Sequence, residues 1–428
     1  MKKFFVSVGL AAAGTASLHA FDLLGTENDK IWTISGTLRG FYDDNYNTSH
    51  HKVSSTGFEI RPEFELSAPL EQTEISLRYN YALLYYLRRE QNHQNPIDQS
   101  HQFDLWIDHA FNPRWDLTFD DTFTVSQEPS LSTSPTVVNQ RVGGSNIGNS
   151  AGLSLHTDWT RKFSTTISYN NNFYLYDDTG AFISPTLPPV VDASFAGRLN
   201  RIEQTGNLEG QWHFSRTTMG MLGYKFGIVN FTGNEVIVYN PVTASFYKSD
   251  SRDNYSHSVY VGAQHQFLEN LQGSGQVGVQ YTDYYNDPSS TSSLGPYANV
   301  SLVYTYTPGG YAQLGFVETR NETDTVDINS KGQITQDQLS SVLYASLNHP
   351  VTQRLMANLL ARYQHSTWHD GLYNSQSSDF YNLGINLTYA FNRHFSSDMG
   401  YTFDYYTTPV PGENYTRNKI YLGITASY

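Results

Sequence analysis

Seven charged residues early in the chain recur at alternate positions of three extended segments: Arg39, then Glu59, Arg61, Glu63 and Glu65, then Glu74 and Arg78. Acids and arginines on one face of a sheet can do one of two things. Across a water-filled pore they form an electrostatic filter that sorts passing ions. On neighbouring strands they form cross-strand pairs that hold the register. Pairs that neutralise one another act weakly on a passing solute, so the pattern favours the register ladder.

Other charged groups fit catalysis or metal binding less well. The stretch Asp43, Asp44, Asn45, together with Asp120 and Asp121, offers oxygen ligands for calcium, but it lacks EF-hand spacing and reads as a solvated rim. His50, His51, His93, His101 and His109 bunch in the first quarter of the chain without an HExxH arrangement. There is no G-x-S-x-G elbow. The glycine-bearing segments GYKFG and VGGSNIG lack the strand–loop–helix context of a phosphate site. No catalytic set, metal site or cofactor site is expected, and no enzyme.

The elements that carry these charges are strands. In FYNLGINLTYAF (380–391), Tyr381, Leu383, Ile385, Leu387, Tyr389 and Phe391 alternate with Asn382, Gly384, Asn386, Thr388 and Ala390. Successive side chains of a strand point to opposite faces, so this ribbon has one oily and one wet face. The same alternation recurs at 58–66, 75–83, 163–170 and 298–306. The connections alternate as well. Short ones (PLEQT, NPR, WTRK, FSRTT, LENL, TPGG, NHPVTQ, FNRH) take turns with polar stretches at 45–55, 88–100, 127–149, 177–194, 230–253, 283–293, 320–336, 367–376 and 407–416. Eight turns and nine loops join eighteen strands. That asymmetry predicts an all-β, antiparallel, up-and-down transmembrane barrel with short periplasmic turns and long external loops. The competing reading is a soluble sandwich, which at this size would break into domains.

Composition agrees with a barrel. Tyr (32), Phe (24) and Trp (6) are abundant while cysteine is absent, so no disulfide framework exists. No run of 18 apolar residues follows the N-terminus, so no spanning helix is expected. Lys2 and Lys3, the apolar run Phe4–Ala13 and the small Ala20 have the layout of a secretory signal peptide over 1–20. A short periplasmic segment over 21–31 and one barrel domain over 32–428 follow. The net charge of −14 argues against a nucleic-acid partner.

Two stretches resemble known families. The last strand, YLGITASY, resembles the C-terminal signal of outer-membrane barrels, with Tyr421, Gly423 and the terminal aromatic Tyr428; Ala426 stands where that signal prefers a larger apolar residue. This implies recognition by the barrel assembly machinery. The stretch RGFYDDNYNTS (39–49) resembles the opening of the β-barrel porin type 2 family, outer-membrane proteins often linked to exopolysaccharide export. The expectation is a Gram-negative outer-membrane channel amid lipid and lipopolysaccharide, passing small hydrophilic solutes. The alternatives are a polysaccharide export conduit, for which Tyr174, Tyr176 and Tyr406 would be stacking platforms, and a structural or adhesive barrel. The oligomeric state is open.

Expected pore-lining residues are the seven charges named above with Asn382 and Asn386. Arg141, the cation of the loop 127–149, joins them if that loop folds into the lumen. There it would face Glu59–Glu65, with Val137 and Val138 hidden from solvent and Gly143 and Gly144 turning the chain back. A mobile surface loop is the alternative.

Overall fold

A computed structural model of the chain describes residues 31–128, 137–289 and 291–428. The signal peptide expected over 1–20 lies outside the described residues, as does all of the 21–31 segment but its last residue. Eighteen antiparallel strands follow one another round a closed sheet, from Trp32–Asp43 to Tyr415–Ser427. The first and last strands pair from Ser35↔Ser427 to Asp43↔Lys419. Ile34 and Tyr428 complete the seam by exchanging backbone hydrogen bonds of 3.2 and 2.9 Å.

The alternation seen in the sequence becomes two faces. On the first strand Trp32, Ile34, Leu38 and Tyr42 point outward and are exposed, while Thr37, Phe41 and Asp43 point inward and are buried. On Ser377–Ala390, Tyr381, Ile385 and Tyr389 are exposed and Asn382 is buried. The outer band leaves Leu422 63 % and Ile424 60 % exposed in the isolated chain. A continuous apolar surface of this kind calls for a nonaqueous surrounding. A closed barrel is the β arrangement that satisfies every backbone polar group inside lipid.

Aromatic rings border the band, and several are tied to outward histidines. The hydroxyls of Tyr79, Tyr224 and Tyr306 meet Nδ1 of His101 (2.9 Å), His257 (2.7 Å) and His349 (2.8 Å). His109 Nδ1 pairs with Thr73 Oγ1 at 2.8 Å. His101 and His109 thus belong to the outer wall, while His50 and His51 sit together on the first loop with rings 5.3 Å apart.

The inner wall has a packing device that alternation does not reveal. Tyr260, Tyr344 and Tyr421 each lie flat over a glycine directly opposite on the next strand: Gly223, Gly315 and Gly400. In each case the ring fills the place a glycine Cβ would occupy. The absent side chain makes room for an aromatic that protects the exposed strand backbone.

Loops at the other end from Tyr428 carry structure of their own. The hairpin Val236–Asn240/Ser245–Lys248 and the helices Leu87–Gln91 and Phe195–Leu199 belong to them. Ser194 caps the second helix by accepting from Gly197 N at 2.9 Å, so the fourth loop runs to Asn200, past the expected 194.

Ile385 sits five residues above the end of its strand, close to mid-band, so Ile385→Arg should destabilise the barrel by about 2–4 kcal/mol. Asn386→Arg, facing the lumen, should cost much less. Equilibrium unfolding in phospholipid vesicles measures both.

Candidate functional site

The expected charge ladder is present as ion pairs. Arg39 faces Glu59 across the first two strands (3.6 Å) and donates through Nε to Asp398 Oδ2 (2.7 Å). Arg61 pairs with Glu59 at 2.6 Å. Glu65 stands opposite Arg78, which binds Asp104 at 2.7 Å. Glu63 accepts from Asn80 at 3.2 Å. Glu74 lies in register with Asp108 near the turn end. Asn382 donates to Asp404 (2.6 Å), and Asn386 accepts from the Tyr421 hydroxyl (3.2 Å). Each side chain on the expected inner face has that orientation; Arg39 and Arg78 engage carboxylates on adjacent strands, whereas Arg61 pairs with Glu59 on its own strand.

Gly423 has a structural reason to be glycine. A Cβ there would collide with Arg39 Cγ and stand 2.8 Å from Asp398 Oδ1, across the path of that ion pair. Tyr421 lies under the same arginine, whose guanidinium carbon is 4.7 Å from the ring centroid. Tyr428 is exposed at the rim, 6.2 Å from the Trp32 ring.

The loop 127–149 turns inward. Its residues 129–136 lie outside the described residues. Among the rest, Val138 (6 % exposed) and Val142 (4 %) pack on Leu199 of the fourth loop, with Val137, Tyr176 and Phe195 around them. Gly144 adopts φ 83°, and a Cβ there would lie 2.7 Å from Asp177 Cβ, so this position, rather than Gly143, requires glycine. Asn139 accepts a hydrogen bond from Tyr415, Gln140 donates to Glu413 O (2.9 Å), and Arg141 N donates to Thr48 Oγ1 (2.6 Å).

Arg141 does not face Glu59–Glu65. Its guanidinium binds Asp98 at 2.6 Å and approaches Glu128 at 3.9 Å. These belong to an ionic chain that crosses five elements. Arg417 on the last strand binds Asp43 (2.6 Å) on the first and Glu128 (2.7 Å) in the loop, while Arg89 joins Asp98 (2.7 Å). Asp43, read as rim, is a buried anchor of this chain. Burial works against the charge on Glu128, but Arg417 and Arg141 overcome it and hold the carboxyl at about 2.

The sequence gives little sign of the remaining loop contacts. Arg252 is fully buried and donates to three carbonyls, those of Gln336 (3.2 Å), Thr323 (2.8 Å) and Arg198 (2.9 Å). Arg198 in turn donates to Asp324 O (3.0 Å), and Trp368 Nε1 to Thr323 Oγ1 (3.0 Å). Burial raises Glu322 to about 7 against the pull of Arg252 and Arg201, with Glu203 adding to the rise. Burial and Asp324 raise Glu413 to about 7 against Arg198. The tyrosines expected as sugar platforms are otherwise occupied. Tyr406 packs with Phe380 and Tyr415, Tyr174 lies 4.2 Å from the Arg201 guanidinium carbon, and Tyr176 stacks on Phe195.

Residues 239–428 match a family model described as "Putative beta-barrel porin 2". The match lies in the C-terminal part of the chain and does not include the 39–49 stretch that suggested the family. No curated protein matches. Similar solved structures include a BenF-like porin from Pseudomonas fluorescens Pf-5, with 9% identity over 93% of this chain and 99% of that one at a TM-score of 0.44. OccAB4 of Acinetobacter baumannii has 11% identity over 94% and 100% at a TM-score of 0.42. OccK2 (OpdF) of Pseudomonas aeruginosa, solved with glucuronate, has 12% identity over 92% and 98% at 0.42.

The ionic chain sets one expectation. Arg417→Met leaves buried Asp43 and part-exposed Glu128 without their shared partner, a loss that should cost less than the about 3–5 kcal/mol of a pair buried at both ends. The inward loop should detach, and amide exchange at Val138 and Val142 should rise well above that of the strands. The raised acids set a second. Glu322 and Glu413 favour the packed loops while protonated, so their stabilisation is complete below pH 4.5 and is lost as pH rises through about 7. Intrinsic-rate-corrected exchange over 322–336 and 408–414 should therefore be slower in acid, and Glu322→Gln should flatten that dependence.

Proposed function

We propose that this barrel, porin-like over residues 239–428, is a water-filled channel of the bacterial outer membrane for passive diffusion of small hydrophilic solutes. The observation that carries the reading is the opposition of faces on one wall: exposed Leu, Ile, Val and Tyr outside, and Thr, Ser, Asn, Gln and charged groups inside. At eighteen strands the interior is too wide for wall side chains to fill, and an aqueous lumen remains. The short-turn end with Tyr428 then faces the periplasm, and the loops face outward amid lipopolysaccharide.

In this reading the inward segment 137–145 sets the narrow section, because its contacts reach from the sixth strand to the seam of the last and first. Tyr421, Gly423 and Tyr428 serve two ends at once: the assembly machinery reads them, and they build the seam that closes the barrel. The export alternative draws no support from Tyr174, Tyr176 and Tyr406, which are taken up in packing against neighbouring side chains.

Planar-bilayer recording of the purified, heat-modifiable barrel tests the proposal. Ohmic single-channel steps are expected, and deletion of residues 137–143 should enlarge them. A folded barrel that passes no current overturns the channel reading. Unchanged steps in a folded deletion remove this loop from the narrow section.

A further inference from the structure

The inner wall is not electrically even. On the inner face of the strands between Ser55 and Asp158, Arg61 and Arg78 are the arginines, and no lysine is present. Both are held in ion pairs, Arg61 with Glu59 and Arg78 with Asp104. Toward the turn end the same strands present Glu74, Asp108 and Asp120 inward, Glu74 opposite Asp108, Asp108 opposite Thr118, and Asp120 between Trp106 and Gly152. The titratable base facing them is His156, opposite Asp116 and 3.5 Å from Asp158.

Trp106 shows that this part of the wall is open. It stands in the inner row between Ser76 and Asp120, flanked along its own strand by Asp104 and Asp108. Trp106 is 40 % exposed, and Glu74 and Asp120 are exposed beside it. The wall from Arg201 to Thr307 offers no compensating cation there. Its inner lysine, Lys225, donates to the Tyr297 hydroxyl (2.8 Å), while nearby Glu209 accepts from Tyr260 (2.9 Å).

Resting on the channel reading, we infer that the pore prefers positively charged solutes, and that the acidic wall below the loops, around Trp106, sets the preference. This is selectivity by the field of the wall, with no ion held in place. Fixed charge of one sign in a low-dielectric channel enriches counter-ions and excludes co-ions. The charge ladder of the first strands is self-compensated and adds little; the excess lies one arc further round the barrel, on the third to fifth strands. Screening should weaken the effect in concentrated salt, so it is best read at about 0.01 M, where the screening length is about 30 Å.

Reversal potential across a KCl gradient at low ionic strength tests this. The wild-type channel should be cation-selective, and raising the salt should bring its permeability ratio toward one. The triple variant Glu74→Gln, Asp108→Asn, Asp120→Asn should at least halve the ratio of potassium to chloride permeability. Ser76→Lys, which adds a cation beside Trp106 and removes no carboxylate, should shift it the same way. An anion-selective wild type overturns the inference while leaving the channel intact. So does a ratio that neither variant moves. A folded barrel without current overturns both readings, so the two failures are distinct.

Discussion

Every feature of this structure depends on the hydrogen bonds that join the last strand to the first. An open eighteen-stranded sheet would leave two rows of backbone donors and acceptors facing hydrocarbon, where each unsatisfied group costs several kcal/mol. The seam from Ser35↔Ser427 to Asp43↔Lys419 removes both rows at once. Its side chains are fitted to that purpose. Gly423 clears the path for Arg39 to reach Asp398, and Tyr421 lies across Gly400 beneath that arginine. Closure also creates the two environments. Once the wall is continuous, alternate side chains have no choice but lipid or lumen.

The loops depend on the seam in turn. Asp43 on the first strand and Arg417 on the last come together because the barrel closes, and the pair they form receives Glu128. The inward loop is therefore held in part by Arg417, 289 positions away from Glu128 in sequence. Buried ion pairs contribute little net stability, because desolvation offsets their attraction, but losing one partner is costly. Their effect here is positional: they fix where the loop lies and leave overall stability to the wall. The carbonyl contacts of Arg252 do the same for the loops on the facing side.

The parts of the fold that could be read from the sequence are those governed by local periodicity. Alternation gave the strand count, the two faces and the end at which the loops gather, because a period of two maps directly onto a sheet with one apolar side. The inward loop could be half anticipated from Val137 and Val138, which have no place in free solvent. Partners could not be read this way. Alternation puts Glu59–Glu65 on the inner wall, which makes them the apparent partners of an inward Arg141. In the folded chain Arg141 instead reaches Asp98 and, within its own loop, Glu128, a matter of height along the barrel that no strand pattern encodes. The tyrosine-over-glycine pairs were hidden for the same reason: each joins two unremarkable residues on different strands. Arg252 lies in a loop and Trp368 at the loop end of its strand, and only packing reveals what they hold.

The opposition of the two faces is tested most directly by spin labels placed one at a time at positions 381–389 of the barrel in vesicles. Collision rates with oxygen, which concentrates in lipid, and with a water-soluble nickel chelate should each oscillate with a period of two, in opposite phase. Oxygen should peak at 381, 383, 385, 387 and 389, and the chelate at 382, 384, 386 and 388. Rates that rise and fall together, or a flat profile for either probe, would contradict a wall with lipid on one side and water on the other.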